Sequence, residues 1–141
     1  LTANKKIPLN PPLQKGEAPI NWDTIATHEE ALLTYADQEL RMIEGLTILG
    51  PSNPRDRAGL IAFSLKGIHP HDLVTILDEQ HVELRAGHHC AQPLHDFLKI
   101  PASARASFGV YSRSDDVDRL VTGIRQAQSL LSKSSRTDAL S

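Results

Sequence analysis

An α+β fold, with a small mixed or antiparallel sheet packed against helices, is what the sequence predicts, and three observations carry the prediction. Helical and strand periodicities follow one another in the order α-β-β-α-β-(α)-β-α, so strands come consecutively and helices are segregated. The strand-like run "GLIAFSL" (59–65) is apolar on both sides, as in a sheet covered on both faces. The chain has 141 residues, 40% hydrophobic and 23% charged, which is ordinary for one soluble domain.

The elements follow in order. Residues 1–21, "LTANKKIPLNPPLQKGEAPIN", hold four prolines. Each removes a donor and fixes φ, so an extended arm is expected there. Thr27 is a plausible N-cap, with Glu29 and Glu30 in the first turn. Leu32, Ala36, Leu40 and Ile43 then recur at helical spacing, and Gly45 ends the helix. "LTIL" (46–49) is a short strand stopped by Gly50-Pro51, and "SNPRDR" is a surface turn. After the 59–65 strand, Gly67 breaks the chain and Pro70 suits the first turn of a helix to about Gln80. Its inner face is expected from Leu73, Val74, Ile76 and Leu77. "HVELR" (81–85) alternates as a strand, "PLHDFL" is a short helix or turn, and "RASFGVY" (105–111) is another strand. Ser114, backed by Asp115 and Asp116, is expected to cap a final helix. Its stripe is Val117, Leu120, Val121, Ile124 and Leu131, and residues 133–141 read as a disordered tail.

Charge and cysteine usage narrow the function classes. A net charge of -2 gives no electrostatic case for nucleic acid or an anionic membrane as partner. No apolar run approaches the roughly 18 residues of a membrane helix, and no signal-peptide pattern opens the chain. The single cysteine allows neither an intramolecular disulfide nor a CxxC site, so a cytoplasmic compartment is expected. Residue 1 is leucine, so the start is expected to be processed, trimmed or cut from something longer.

That cysteine stands in "RAGHHCAQPL" (85–94), after two histidines. Adjacent residues in an extended segment point to opposite sides. His88, His89, Cys90 and His95, with His69, His71 and His81 upstream, therefore do not match the paired spacing of a structural zinc site. His69 and His71 sit at a helix start, where capping explains them. Cys90 has two readings. A lone cysteine is commonly a small buried apolar residue. A loop position with Gly87, histidines and Arg85 nearby is instead the setting of a reactive thiolate. Arg105 either reaches solvent, pairs with Asp96 or Asp72, or offers a bidentate fork to a carboxylate ligand. Arg85 has the same solvent and ligand readings.

A family resemblance bears on these alternatives. "RAGHHCAQPL" followed by "PASARASFGVY" resembles the C-terminal segment of the Suf-type (type II) cysteine desulfurases, among the class V aminotransferases. "GPSNPRDRAGLIAFSLKGIHPHDLVTILDEQHVELRAGHHCAQPL" and "SDDVDRLVTGI" continue the likeness, which covers roughly residues 27–131. An ordered string of several motifs is specific. The resemblance implies the small C-terminal domain of a fold-type I enzyme of pyridoxal phosphate. In that family the coenzyme forms a Schiff base with cysteine. A thiolate then attacks the substrate sulfur, leaving a persulfide and releasing alanine. Cys90 matches the nucleophile and Arg105, in "RASF", matches the arginine that binds the substrate carboxylate. Arg85 and His89 belong to the loop motif without an assigned role.

Family members by resemblance run to about three times this length, which needs more core than this chain can form. Lys5, Lys6, Lys15, Lys66, Lys99 and Lys133 lie in no segment resembling the Schiff-base lysine motif, and no glycine-rich phosphate loop is present. The expectation is a desulfurase small domain at 22–132 that binds neither metal nor pyridoxal phosphate by itself and is inactive alone. It would serve sulfur mobilisation for Fe–S clusters. Its expected partners are the large coenzyme-binding domain or another desulfurase subunit, a sulfur-acceptor protein, or a second copy of itself. A stand-alone persulfide carrier or interaction module is the alternative, as is the same domain of a selenocysteine lyase.

Overall fold

The computed structural model describes residues 21–138, with side chains to residue 131. The proline-rich arm lies outside the described residues, apart from Asn21. That asparagine caps helix α1 (Trp22–Arg41), its side chain accepting from the Thr24 N–H at 2.8 Å. The helix thus starts earlier than the expected cap, Thr27. Asn is the stronger capping residue, and the Thr27 hydroxyl donates instead to the Asp23 carbonyl within the helix.

Beyond α1 come strand β1 (Leu46–Leu49), a 3-10 turn (Pro54–Asp56) within the expected surface turn, and strand β2 (Leu60–Leu65). Helix α2 (Pro70–Asp78) has Pro70 in its first turn and His69 as N-cap, its Nδ1 accepting from the His71 N–H. Strand β3 (Arg85–Gly87), helix α3 (Gln92–Leu98), strand β4 (Ser103–Ser107) and helix α4 (Ser114–Asp138) complete the fold.

The order of elements is the one expected, and the sheet is antiparallel throughout, running β1-β2-β4-β3. Strand edges differ from expectation. Residues 81–84 are not strand: the His81 and Val82 N–H groups close the end of α2 on Asp78 and Leu77 carbonyls, with His81 left-handed at φ 59°. Pairing starts only at Arg85. In the last strand, "FGVY" leaves the sheet. The Phe108 N–H turns to the Gly59 carbonyl at 2.7 Å, and the Gly109 N–H to Ser112 Oγ at 3.0 Å. Strand β4 gains Ser103 and Ala104 in exchange.

Helix α4 also differs at both ends. The Arg113 N–H donates to Asp116 Oδ2 at 2.8 Å, so Arg113 is the cap and Ser114 the first helical residue. The helix then continues to Asp138, into the stretch expected as a tail, because no Gly or Pro follows Gly123 to stop it.

Helices α1, α2 and α4 share one face of the sheet. Leu32, Leu33 and Leu40 from α1, Leu73 and Leu77 from α2, and Val117, Leu120 and Ile124 from α4 meet Ile61, Phe63, Leu65, Ala104 and Ala106. Gly123 lets α2 and α4 approach, since a Cβ there would stand 3.2 Å from Leu77 Cγ. The other sheet face is not covered as the two-sided apolarity of β2 suggested. Leu60, Ala62 and Ser64 stay half-buried, because all three packing helices lie on the opposite side.

Tyr35 ties α1 to α4, its hydroxyl donating to Asp118 Oδ1 at 2.5 Å. That bond, then burial, pushes the phenol pKa up to about 12 from 10.0. A raised pKa means the contribution is complete below the unfolded value and is lost as pH rises toward 12. Tyr35→Phe is expected to lower stability by about 1–2 kcal/mol at neutral pH and to remove part of the fall in stability above pH 10. Urea titrations at neutral and alkaline pH check this; identical alkaline profiles would count against it.

Candidate functional site

The site is built on the β3–β4 pair. Arg85 stands directly opposite Arg105, and Gly87 opposite Ser103. Since Ala104 and Ala106 point into the core, Ser103, Arg105 and Ser107 point to the sheet face away from α1, α2 and α4. On its other side Arg105 is paired with Ala62 of β2.

Two like charges directly across an antiparallel pair repel one another. Moreover, Arg105 Nε is buried with no hydrogen-bond partner. Among the described residues no ion pair joins Arg105 to Asp96 or Asp72, the two acids considered from the sequence. A buried donor without an acceptor costs the fold its desolvation energy. A bound carboxylate between the two guanidinium groups would relieve both the repulsion and the missing bond.

The cysteine loop leaves β3 at Gly87, whose φ of 131° suits glycine alone. His88 accepts from the Ala91 N–H at 2.8 Å, closing a turn around His89 and Cys90. Both of those residues are left-handed, at φ 53° and 60°. Each such non-glycine residue costs roughly 1–2 kcal/mol, so the loop stores strain at the thiol. Cys90 is exposed, which removes the reading of a buried apolar filler.

His89 reaches back to the sheet, with Nε2 at 3.2 Å from the Ser103 carbonyl. A carbonyl only accepts, so Nε2 carries the hydrogen and Nδ1 a bare lone pair. That Nδ1 is buried without a partner. Burial pushes the His89 pKa below its ordinary value. The Ser103 carbonyl opposes this, while the neighbouring Arg105, His95 and Arg85 add to it. Neutral imidazole is therefore favoured near pH 7.

All four residues singled out in the sequence thus gather at one end of the sheet: Arg85 and Arg105 on paired strands, His89 on Ser103, and Cys90 beside His89. Two further members were not assigned here from the sequence. Ser103 is 1% exposed, and His95, weighed only as a metal ligand, is 5% exposed. His95 Nε2 lies 3.0 Å from Ser103 Oγ and Nδ1 lies 3.0 Å from the Ala91 carbonyl. The period-two spacing of Ser103 with Arg105 was the available signal for the serine. Among the described residues, no group of three or more His, Cys, Asp or Glu is placed to hold a metal. A cleft of about 320 Å³ lined by His81, Glu83, Tyr111 and Arg119, among others, contains none of the four residues.

An exposed thiol in a left-handed loop, following a strand whose Arg85 faces Arg105, marks this end of an α+β domain. The chain belongs to the aminotransferase class-V family, which it matches over residues 17–120. It is 44% identical over 113 residues to a probable cysteine desulfurase of Staphylococcus aureus (strain COL), covering 80% of this chain and 27% of that one. A probable cysteine desulfurase of Halobacterium salinarum is 47% identical over 111 residues, covering 79% and 26%. Among solved structures, it resembles the apo cysteine desulfurase of Thermococcus onnurineus NA1 (TM-score 0.71, 33% identity, 76% of this chain and 27% of that one). The cysteine desulfurase CsdA of Escherichia coli, in an S-sulfonic acid form, is also similar (TM-score 0.68, 35% identity, 74% and 25%). The chain therefore spans about a quarter of the length of these relatives. Among the described residues no helix is long and apolar enough to cross a membrane.

Pyridoxal phosphate, the coenzyme of full-length members of the family, needs a lysine amine for its aldehyde. The cluster around Cys90 offers guanidinium, imidazole, hydroxyl and thiol groups but no lysine. Lys66 lines a separate pocket with Glu44, Gly45 and Gln128, and Lys99 is the left-handed C-cap of α3. The cluster around Cys90 therefore does not fit covalent attachment of the coenzyme, while its guanidinium groups have the chemistry to hold an anionic group.

Proposed function

We propose that this chain is the small, C-terminal domain of a Suf-type cysteine desulfurase, in which Cys90 takes up sulfur as a persulfide. The observation that carries the reading is the buried, unpartnered Nε of Arg105, directly across from Arg85 and at the foot of an exposed thiol loop. Arg105 binds the carboxylate of the amino-acid substrate through its planar fork, and Arg85 adds a second positive charge. This fixes the substrate by the end that does not react, so its sulfur can be presented to Cys90.

The Cys90 thiolate attacks that sulfur. An S–S bond forms and the substrate's C–S bond breaks, its electron pair remaining on carbon, which takes up a proton to give alanine. The large domain's coenzyme would supply the electron sink, and its lysine and phosphate donors would lie in the three quarters of the relatives' length that this chain does not span. Alone, the chain is inactive toward free cysteine. It forms the complete enzyme with the large coenzyme-binding domain, in one polypeptide or as a partner subunit. Sulfur then passes to an acceptor protein, supplying Fe–S cluster assembly in the cytoplasm.

A second reading is favoured by the exposure of Cys90. A thiolate open to other proteins can take the outer sulfur from a donor persulfide, the donor leaving as its own thiolate, with no coenzyme on this chain. The domain then acts as a persulfide carrier.

One experiment tests the site under both readings. Mixed with an active cysteine desulfurase and cysteine, the chain is expected to gain the mass of one sulfur atom at Cys90. Supplied with pyridoxal phosphate and cysteine but no second enzyme, it is expected to release neither alanine nor sulfide. An unmodified Cys90 in the first mixture contradicts the role of the thiol. Turnover in the second contradicts the dependence on a large domain.

A further inference from the structure

Ser103 is the meeting point of two hydrogen bonds that the proposed chemistry does not use. Its carbonyl accepts from His89 Nε2–H at 3.2 Å, and its hydroxyl lies 3.0 Å from His95 Nε2. The other nitrogen of His95, Nδ1, lies 3.0 Å from the Ala91 carbonyl. That carbonyl can only accept, so Nδ1 carries the hydrogen, and in the neutral ring Nε2 accepts from the Ser103 hydroxyl. Donation therefore runs from the Ser103 hydroxyl through His95 to the Ala91 carbonyl, and separately from His89 to the Ser103 carbonyl.

We propose that Ser103 and His95 are positioning residues that clamp both flanks of Cys90 to strand β4. The inference rests on the reading of Cys90 as the sulfur acceptor. His89 precedes the cysteine and Ala91 follows it, so one strand residue and one helix residue hold the chain on either side of the thiol. The clamp explains how His89 and Cys90 stay left-handed in succession (φ 53° and 60°), a conformation that a free loop of non-glycine residues would leave. It also explains why a polar pair occupies positions that are 5% and 1% exposed, where an apolar pair would fill the space without a desolvation cost.

The strand register gives the clamp its use. Ser103 and Arg105 lie two residues apart on one face of β4, so tying the loop to Ser103 places the thiol in a set relation to the guanidinium fork. The same clamp decides the state of His89. With its Nε2–H given to Ser103, the bare Nδ1 is the nitrogen left for a ligand. The ring of His95 also stacks edge-on against His88 at 5.3 Å, which further limits its motion.

The test uses the full 141-residue chain and the variants Ser103→Ala, Ser103→Thr and His95→Asn. Nitrogen-15 NMR of the imidazoles should show His95 protonated at Nδ1 and His89 at Nε2. Ser103→Ala should shift the His95 Nε2 signal and speed exchange of the Ala91 amide about tenfold, the effect of losing one buried hydrogen bond. Core amides of β2 should be unchanged. Sulfur uptake by Cys90 from an active desulfurase should slow about threefold or more through misplacement of the thiol. Ser103→Thr, which keeps the hydroxyl, should restore both, and His95→Asn should mimic the alanine variant.

Ala91 exchange that is unchanged in both Ser103→Ala and His95→Asn overturns the clamp, whatever Cys90 does with sulfur. Faster exchange in both variants, with no sulfur uptake by the parent chain, upholds the clamp and sinks only the reading of Cys90 as acceptor.

Discussion

Replacing Asp37 with alanine is expected to destabilise the fold by about 3–5 kcal/mol, the cost of stranding a buried charge. Asp37 is 6% exposed, and Oδ1 accepts from Arg57 Nη1 at 2.7 Å. The side chain of Arg57 is only 5% exposed, and its Nε donates to the Pro51 carbonyl at 2.8 Å. This ion pair fastens α1 to the loop between β1 and β2. Arg41 also binds Asp37, at 2.6 Å, but its side chain is half exposed and contributes little. Without the carboxylate, Arg57 remains buried with a neutral carbonyl as its partner. That is a large fraction of the 5–15 kcal/mol that holds a domain of this kind.

The pH dependence has a definite sign. Burial acts to raise the Asp37 pKa, but hydrogen bonds from Arg41 and Arg57 outweigh it and hold the carboxyl below its ordinary value. A lowered pKa gives stability that is present above the unfolded value, near 3.8, and lost as pH falls through the folded one. The alanine variant should lack this part of the acid transition. Urea unfolding at neutral and acid pH measures both effects, and a loss below about 1 kcal/mol would show that Arg57 finds another acceptor.

Phe63→Ala should cost about 3–5 kcal/mol for a different reason, the cavity it leaves. Phe63 is fully buried in the middle of β2, with Ile48 and Ala104 as its cross-strand neighbours. Small alanines on β4 leave it to fill the space between sheet and helices. Because Ala104 precedes Arg105, loosening that register would also disturb the arginine. Phe63→Leu keeps much of the volume and should cost clearly less. Calorimetry on the two variants checks the ranking; equal losses would mean that the site collapses around either side chain.

How much was legible in the sequence varied with the kind of signal. Leu32, Ala36, Leu40 and Ile43 at helical spacing, and Ile61, Phe63 and Leu65 alternating, all proved buried. Periodicity reports burial directly, so the α+β class and the order of elements could be read from it. Edges were less legible. "HVELR" alternates well enough for a strand, yet Val82 gives its N–H to the end of α2, a partner that periodicity does not register. Likewise Asn21 outcompeted Thr27 as a cap from just before the first helical residue.

The candidate site divides along the same line. The sequence alone determined which residues are the candidates: an isolated thiol in "RAGHHCAQPL" and arginines at positions 85 and 105, because residue type and motif are local properties. Only the tertiary structure decided whether they meet. The antiparallel pairing of β3 with β4 sets Arg85 against Arg105 across a gap in sequence, and buries Arg105 Nε without a partner. The bonds of His95 and Ser103, which hold the cysteine loop to that strand, depend on α3 folding back over β4. Such contacts arise from closure of the chain and burial on the sheet face, and neither leaves a period in the sequence.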